Sequence, residues 1–149
     1  MTVSVSVRRI ALMMAMAVLV LIGLANPLPA ADDARFTFAG TVKFVENVPK
    51  YHVFAWEGRA DHLGPCAGMA LVWSRGLHRQ AWVTLENDRG DSIDFFMDWT
   101  SDRDTGVGIG TYEITGGAGR FAGATGSGSM HVMPFPGGAD IILDGTISD

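Results

Sequence analysis

From residue 35 onward, apolar and polar residues alternate with a period of two. In the first such segment, residues 35–46, one face carries the apolar side chains Phe36, Phe38, Val42 and Phe44. This alternation is typical of a half-buried β-strand, because successive side chains point to opposite faces of the sheet. Seven more segments read as strands: 51–60, 66–74, 79–86, 92–100, 107–115, 124–133 and 139–148.

Turn-forming sequences separate these segments, among them "NDRGD", "SDRDTG" and the strand-breaking "PFPGG". No segment after residue 31 shows the apolar spacing of a helix over ten or more residues. Eight short strands with no helices predict an all-β fold. We expect an eight-stranded antiparallel closed barrel, because closure removes exposed strand edges and leaves room inside for side chains or one small ligand.

The first 31 residues follow a different pattern. Arg8 and Arg9 precede a sixteen-residue uncharged run, Ile10 to Ala25, and small residues and prolines follow it. This is the layout of a cleavable signal peptide, and the run is shorter than the roughly 20 residues of a membrane-spanning helix. We therefore expect a signal peptide over 1–31, one domain over 32–149, and export to the periplasm or outside the cell, with no membrane association after cleavage.

The charge of the domain excludes some classes of partner, and its cysteine count excludes a disulfide. Residues 32–149 keep all sixteen acidic residues but only nine of the eleven basic ones, which gives a formal charge of −7. An acidic domain argues against nucleic acid and anionic membrane surfaces as partners. Cys66 is the only cysteine, so no internal disulfide can form, and we expect it to be a small buried residue.

The glycine-rich stretch 116–128 contains G-x-G-x-x-A directly after a predicted strand. A dinucleotide site would need a helix after these glycines, and the glycines that follow disfavour a helix by about 1 kcal/mol each relative to alanine. The stretch instead predicts a tight structural corner. We expect positive φ at Gly117 or Gly119, with Phe121 plugging the end of the barrel.

The same stretch, with the last strand, resembles the C-terminal half of the allene oxide cyclase barrel superfamily, which includes dirigent proteins and exported bacterial domains. The matching residues lie within 106–148: Gly116, Gly117, Gly119, Phe121, Ala124, Gly126, Gly145 and Ile147. The resemblance implies an eight-stranded antiparallel barrel that is often a trimer and uses no cofactor.

Candidate ligand-binding residues come from the inward phase of the first strand and from the tryptophans: Phe36, Phe38, Phe44, Glu46, Trp56 and Trp99. Glu46 is in phase with the phenylalanines. Inside the barrel its carboxyl would have a raised pKa and could serve as an acid, a base or a polar anchor. The alternative places Glu46 on the surface beside Lys43 or Lys50.

Other polar clusters favour plain structural roles. His62 and Cys66 have metal-like spacing, but two ligands do not make a zinc site, and we expect no metal. Asp102 and Asp104 read as an acidic turn that lacks the remaining ligands of a calcium loop. We expect a solvated basic turn at Arg75, His78 and Arg79.

Three functions fit this sequence. The first is a non-enzymatic exported barrel that binds or shields a small hydrophobic molecule. The second is a cofactor-free cyclase or isomerase acting on a reactive lipid. The third is a structural or interaction barrel with a filled lumen. The fold alone does not choose among them.

Overall fold

A computed structural model describes residues 33–148. They form eight strands, as the alternation predicted: β1 (Ala34–Val48), β2 (Tyr51–Ala60), β3 (Gly64–Arg75), β4 (His78–Glu86), β5 (Ser92–Ser101), β6 (Gly108–Ala118), β7 (Thr125–Phe135) and β8 (Gly138–Ser148). Each strand pairs antiparallel with its sequence neighbours, and β1 pairs with β8. The predicted all-β closed barrel is confirmed.

The predicted signal peptide, residues 1–31, lies outside the described residues. Within residues 33–148, no helix is long and apolar enough to cross a membrane.

The end of β7 differs from the prediction. Pro134 was expected to break the chain, yet the strand continues to Phe135, and Pro134 pairs with Ala139 of β8. The reason is that β7 pairs with β6 only as far as Val132, so the strand has a free edge at Pro134, where a missing N–H is tolerated. The reversal comes after it, at Gly137, whose φ is 86°.

Aromatic rings fill the middle of the barrel. Phe36, Phe95 and Tyr112 contact one another with ring centroids 5.8–6.2 Å apart. Gly145 of β8 makes room for Tyr112, since a Cβ there would lie 2.6 Å from the Tyr112 hydroxyl oxygen. This packed layer separates the two ends of the barrel, which differ in structure.

One end, the closed end, is plugged by the buried side chains of Leu63 and Phe121. Arg120 ties its loops together: the guanidinium pairs with Asp91 at 3.2 Å and donates to the carbonyl oxygen of His62 at 2.6 Å. The backbone N–H of Arg120 also donates to Asp91, and this bond is the main cause of the lowered pKa of the Asp91 carboxyl.

The opposite end, here called the mouth, is formed by the turns that join β1 to β2, β3 to β4, β5 to β6 and β7 to β8. Among residues 33–148, no plug comparable to Phe121 fills the part of the lumen next to these turns, and a cavity lies there.

Candidate functional site

A cavity of about 190 Å³ opens at the mouth. Most of its wall is apolar and comes from six of the eight strands and the loop before β6: Val42, Phe54, Trp56, Val72, Trp99, Gly106, Val132, Pro134, Gly138, Ala139 and Ile141. Such a concave apolar wall with few polar groups is the usual form of a small-molecule site.

The two tryptophans owe their places to the inward phase of their strands and to small neighbours. Trp99 lies against β6, where a Cβ at Gly108 would come within 2.6 Å of the indole. Trp56 packs on Phe38, with ring centroids 5.6 Å apart. Both indoles are nearly buried and form cavity wall.

Two polar side chains line the cavity, Arg79 and Ser101. Arg79 lies in the inward phase of β4, two residues before the buried Ala81, and is paired with Trp99 of β5. Its Nη1 donates to the Ser74 hydroxyl at 3.3 Å. Ser101 is buried at the end of β5.

The expected solvated basic turn is therefore wrong in part. Arg75 is exposed as expected, but His78 is hydrogen-bonded to Asp98 at 2.8 Å and Arg79 lines the cavity. The signal for Arg79 was present in the sequence. It lies in register with the apolar residues of its strand, and β4 begins at His78 rather than at Arg79.

The predicted ligand-binding residues separate into three groups. Trp56 and Trp99 line the cavity. Phe36 and Phe38 face the lumen but are fully buried below the cavity. Phe36 belongs to the aromatic layer, and Phe38 packs on Trp56. Phe44 is 47% exposed at the rim, with its ring edge-on to Phe54 at 5.8 Å.

Glu46 is exposed, so its predicted place in the lumen is corrected. The cause is a β-bulge at Val45: the register of β1 against β2 shifts between Phe44 and Glu46, so Glu46 pairs with Val53 rather than with an inward residue. One extra residue in a strand moves every later side chain to the other face. Among the described residues, no carboxylate lines the cavity.

The glycine corner has the structural form that was predicted. Gly119 has φ 65° and opens a single 3-10 turn, Gly119–Phe121, while Gly117 lies in β6. Gly116 also falls in β6, which extends to Ala118. Phe121 is buried at the closed end, so the corner builds the barrel and lies at the opposite end from the cavity.

The remaining candidates add no chemistry to the cavity. Cys66 is a buried free thiol as expected, and burial raises its pKa, which disfavours the reactive thiolate. The Asp102 carboxylate accepts hydrogen bonds from the backbone of Asp104 and Thr105, as in an acidic turn. Residues 33–148 contain no cluster of three or more side chains suited to a metal ion.

Comparison with known proteins adds no identification. No protein-family model matches the chain, and no curated protein is significantly similar to it. The resemblance to the allene oxide cyclase barrel superfamily thus stays a prediction, and function is argued from the cavity.

Proposed function

We propose that this protein is an exported barrel that binds or shields a small hydrophobic molecule in the cavity at its mouth. One observation carries the proposal: a concave apolar space of about 190 Å³ whose wall includes Trp56 and Trp99. The aromatic layer formed by Phe36, Phe95 and Tyr112 supports it, because a packed floor gives the space a definite depth.

The size of the cavity limits the ligand. An apolar cavity of roughly 150 Å³ can hold a benzene molecule. A space of about 190 Å³ therefore suits one ring with a short substituent, or a short branched chain. A long acyl chain would have to displace the aromatic layer below, at a large cost in packing.

Titration of the purified protein with toluene tests the proposal. We expect saturable quenching or shifting of tryptophan emission, because two of the four indoles form the cavity wall. Ala139→Leu, which fills the cavity from β8, should abolish the response. Ala39→Leu, on the exposed face of β1, should leave it unchanged. If the unmodified protein binds neither toluene nor any other small apolar probe saturably, the proposal is contradicted.

A second candidate function, an interaction barrel, is favoured by a feature of the outer surface. Four apolar residues lie side by side in the outward phase of β2, β3, β4 and β5, and we call them the outer row: Val53, Leu71, Trp82 and Phe96. Trp82 is exposed, Leu71 and Phe96 are half-buried, and Val53 is buried. Glu46 and Glu113 are the next residues in register at its two ends. An apolar strip with charged ends fits a protein contact, here self-association, for which the trimers implied by the resemblance are the precedent.

A further inference from the structure

Arg79 differs from every other residue that lines the mouth cavity. It is the one charged side chain in the wall among residues 33–148. The residues that share its inward phase on β4 are Ala81, Val83 and Leu85, all buried and apolar. A guanidinium at this position lies half-buried beside an otherwise apolar space.

The hydrogen bonds of Arg79 leave most of its donors unused. A guanidinium has five N–H groups, and the structure gives Arg79 one side-chain hydrogen bond, the 3.3 Å bond to Ser74. Arg35 and Arg120 each pair with an aspartate, but Arg79 forms no ion pair within residues 33–148. None of the unused donors is sealed from water, so they are open to a ligand that enters the mouth.

We propose that the cavity takes a small amphipathic anion, with its apolar ring or short chain inside and its carboxylate on Arg79. This inference rests on the proposed function, since it assigns the ligand class of the same cavity. The planar guanidinium matches a carboxylate with two parallel hydrogen bonds, and a charged pair shielded from water is stronger than an exposed one. Ser101, which lines the same cavity, offers a further hydroxyl donor.

The shape of the site favours a monocyclic or short-chain acid over a long one. Arg79 is followed on β4 by Ala81 and Val83, which lead toward the closed end, so the charge sits near the mouth and the tail points inward. About 190 Å³ of space then accommodates a ring and a short linker. 3-Phenylpropionate has these dimensions and serves as the probe.

The test compares 3-phenylpropionate with its neutral isostere 3-phenylpropanamide and with toluene, by calorimetric titration of the purified protein at low salt. We expect the acid to bind at least tenfold more tightly than the amide, because hydrogen bonds to charged groups are the strong ones. The preference should weaken as sodium chloride is raised from 20 to 500 mM, roughly, because salt screens a partly exposed pair.

Substitutions of two arginines test whether Arg79 is the group that binds the carboxylate. In Arg79→Gln, which keeps a shorter, neutral polar side chain, the acid and the amide should bind within about twofold of each other. Arg75→Gln, an exposed arginine of the same hairpin, is the matched control and should keep the full preference. Arg79→Lys, which keeps the charge, should retain part of the preference and provides a second variant if Arg79→Gln does not fold.

The outcomes separate the two proposals. If toluene or the amide binds but the acid binds no more tightly, the inference is wrong and the proposed function stands. If the acid is preferred equally by the unmodified protein and by Arg79→Gln, another group recognises the anion and the inference is wrong. If none of the three probes binds, the proposed function itself is wrong, and the inference falls with it.

Discussion

Tyr112 carries a hydroxyl into the barrel interior, below the cavity. The side chain is 2% exposed, and its hydroxyl has no hydrogen-bond partner among the described residues. Burial, and to a smaller degree the negative charge of Asp144, raises the pKa of this phenol to about 12. Tyr112 therefore stays protonated at neutral pH and adds a polar group to the core without a compensating bond.

Removal of this hydroxyl should not destabilise the protein. Tyr112→Phe keeps the ring and removes an unpaired polar atom, so we expect the free energy of unfolding at pH 7 to stay equal or to rise by up to about 1 kcal/mol. Urea denaturation measures it, with the half-buried Tyr51→Phe as control. A loss well above 1 kcal/mol would show that the hydroxyl is bonded in the folded protein.

The raised pKa of Tyr112 also predicts how the free energy of unfolding depends on pH, and the same variant tests it. The pKa is higher in the folded state, about 12, than the ordinary value of 10, so the folded protein holds this proton more tightly. The associated stability is fully present below pH 10 and is lost as the pH rises toward 12. The loss reaches about 2–3 kcal/mol. We expect the unmodified protein to lose more stability over this window than Tyr112→Phe. Parallel alkaline loss in both would contradict the assignment.

At the scale of the strands, the outer row is the feature with a direct experimental consequence. Trp82 is 40% exposed, and its ring lies 5.3 Å from that of Phe96. If the outer row mediates self-association, Trp82→Glu should shift the protein to a monomer in analytical ultracentrifugation. Ile142→Glu removes a side chain of similar exposure, 45%, from the outer face of β8 and should leave the assembly intact. A monomeric unmodified protein, or equal effects of both variants, would contradict this.

The strands themselves were predictable because apolar and polar residues alternate along each of them with a period of two. Predicted and observed boundaries agree within a few residues, and the inward positions of Phe36, Phe38, Trp56 and Trp99 follow from phase alone. The glycine corner was also accessible, since Gly119 at φ 65° is a conformation that glycine favours.

The site was only partly predictable, because it depends on how the strands are paired and staggered. The bulge at Val45 shows in the sequence only as one apolar residue out of phase beside Phe44, which does not reveal that Glu46 turns outward. Arg79 fits the inward phase of its strand, but a charged residue next to a turn is expected to be exposed to solvent. Its place in the cavity wall follows only from how far the cavity extends toward that turn. That extent depends on how eight strands stagger around the barrel, which the local pattern does not contain.

For the molecule as a whole, the contrast between the plugged end and the mouth sets the route of any ligand. Leu63 and Phe121 close one end, and the aromatic layer blocks passage through the middle. Within residues 33–148 the cavity therefore opens at the mouth, past the rim residues Phe44 and Phe54, and a ligand would enter and leave there. A carrier that loads and releases through one opening is the behaviour expected of the proposed function.

Export makes a separate prediction about the whole chain. The pattern of Arg8, Arg9 and the apolar run predicts cleavage, so mass spectrometry of the secreted or periplasmic protein should find an N-terminus between residues 26 and 32. Substitution of Ala25, Ala30 and Ala31, the small residues after which cleavage is expected, by bulky residues should block processing. Recovery of the full-length chain in the membrane fraction would contradict the prediction.

The pairing of β1 with β8 has a consequence for how the chain reaches its native state. It joins residues 95 to 113 positions apart, from Lys43 with Gly138 to Ala34 with Ile147, whereas every other pairing joins consecutive strands. Loop-closure entropy makes such distant contacts slow to form, so the seam between β1 and β8 should be among the last to close. Until then both strands present bare edges, and this interval is when the chain is most exposed to aggregation.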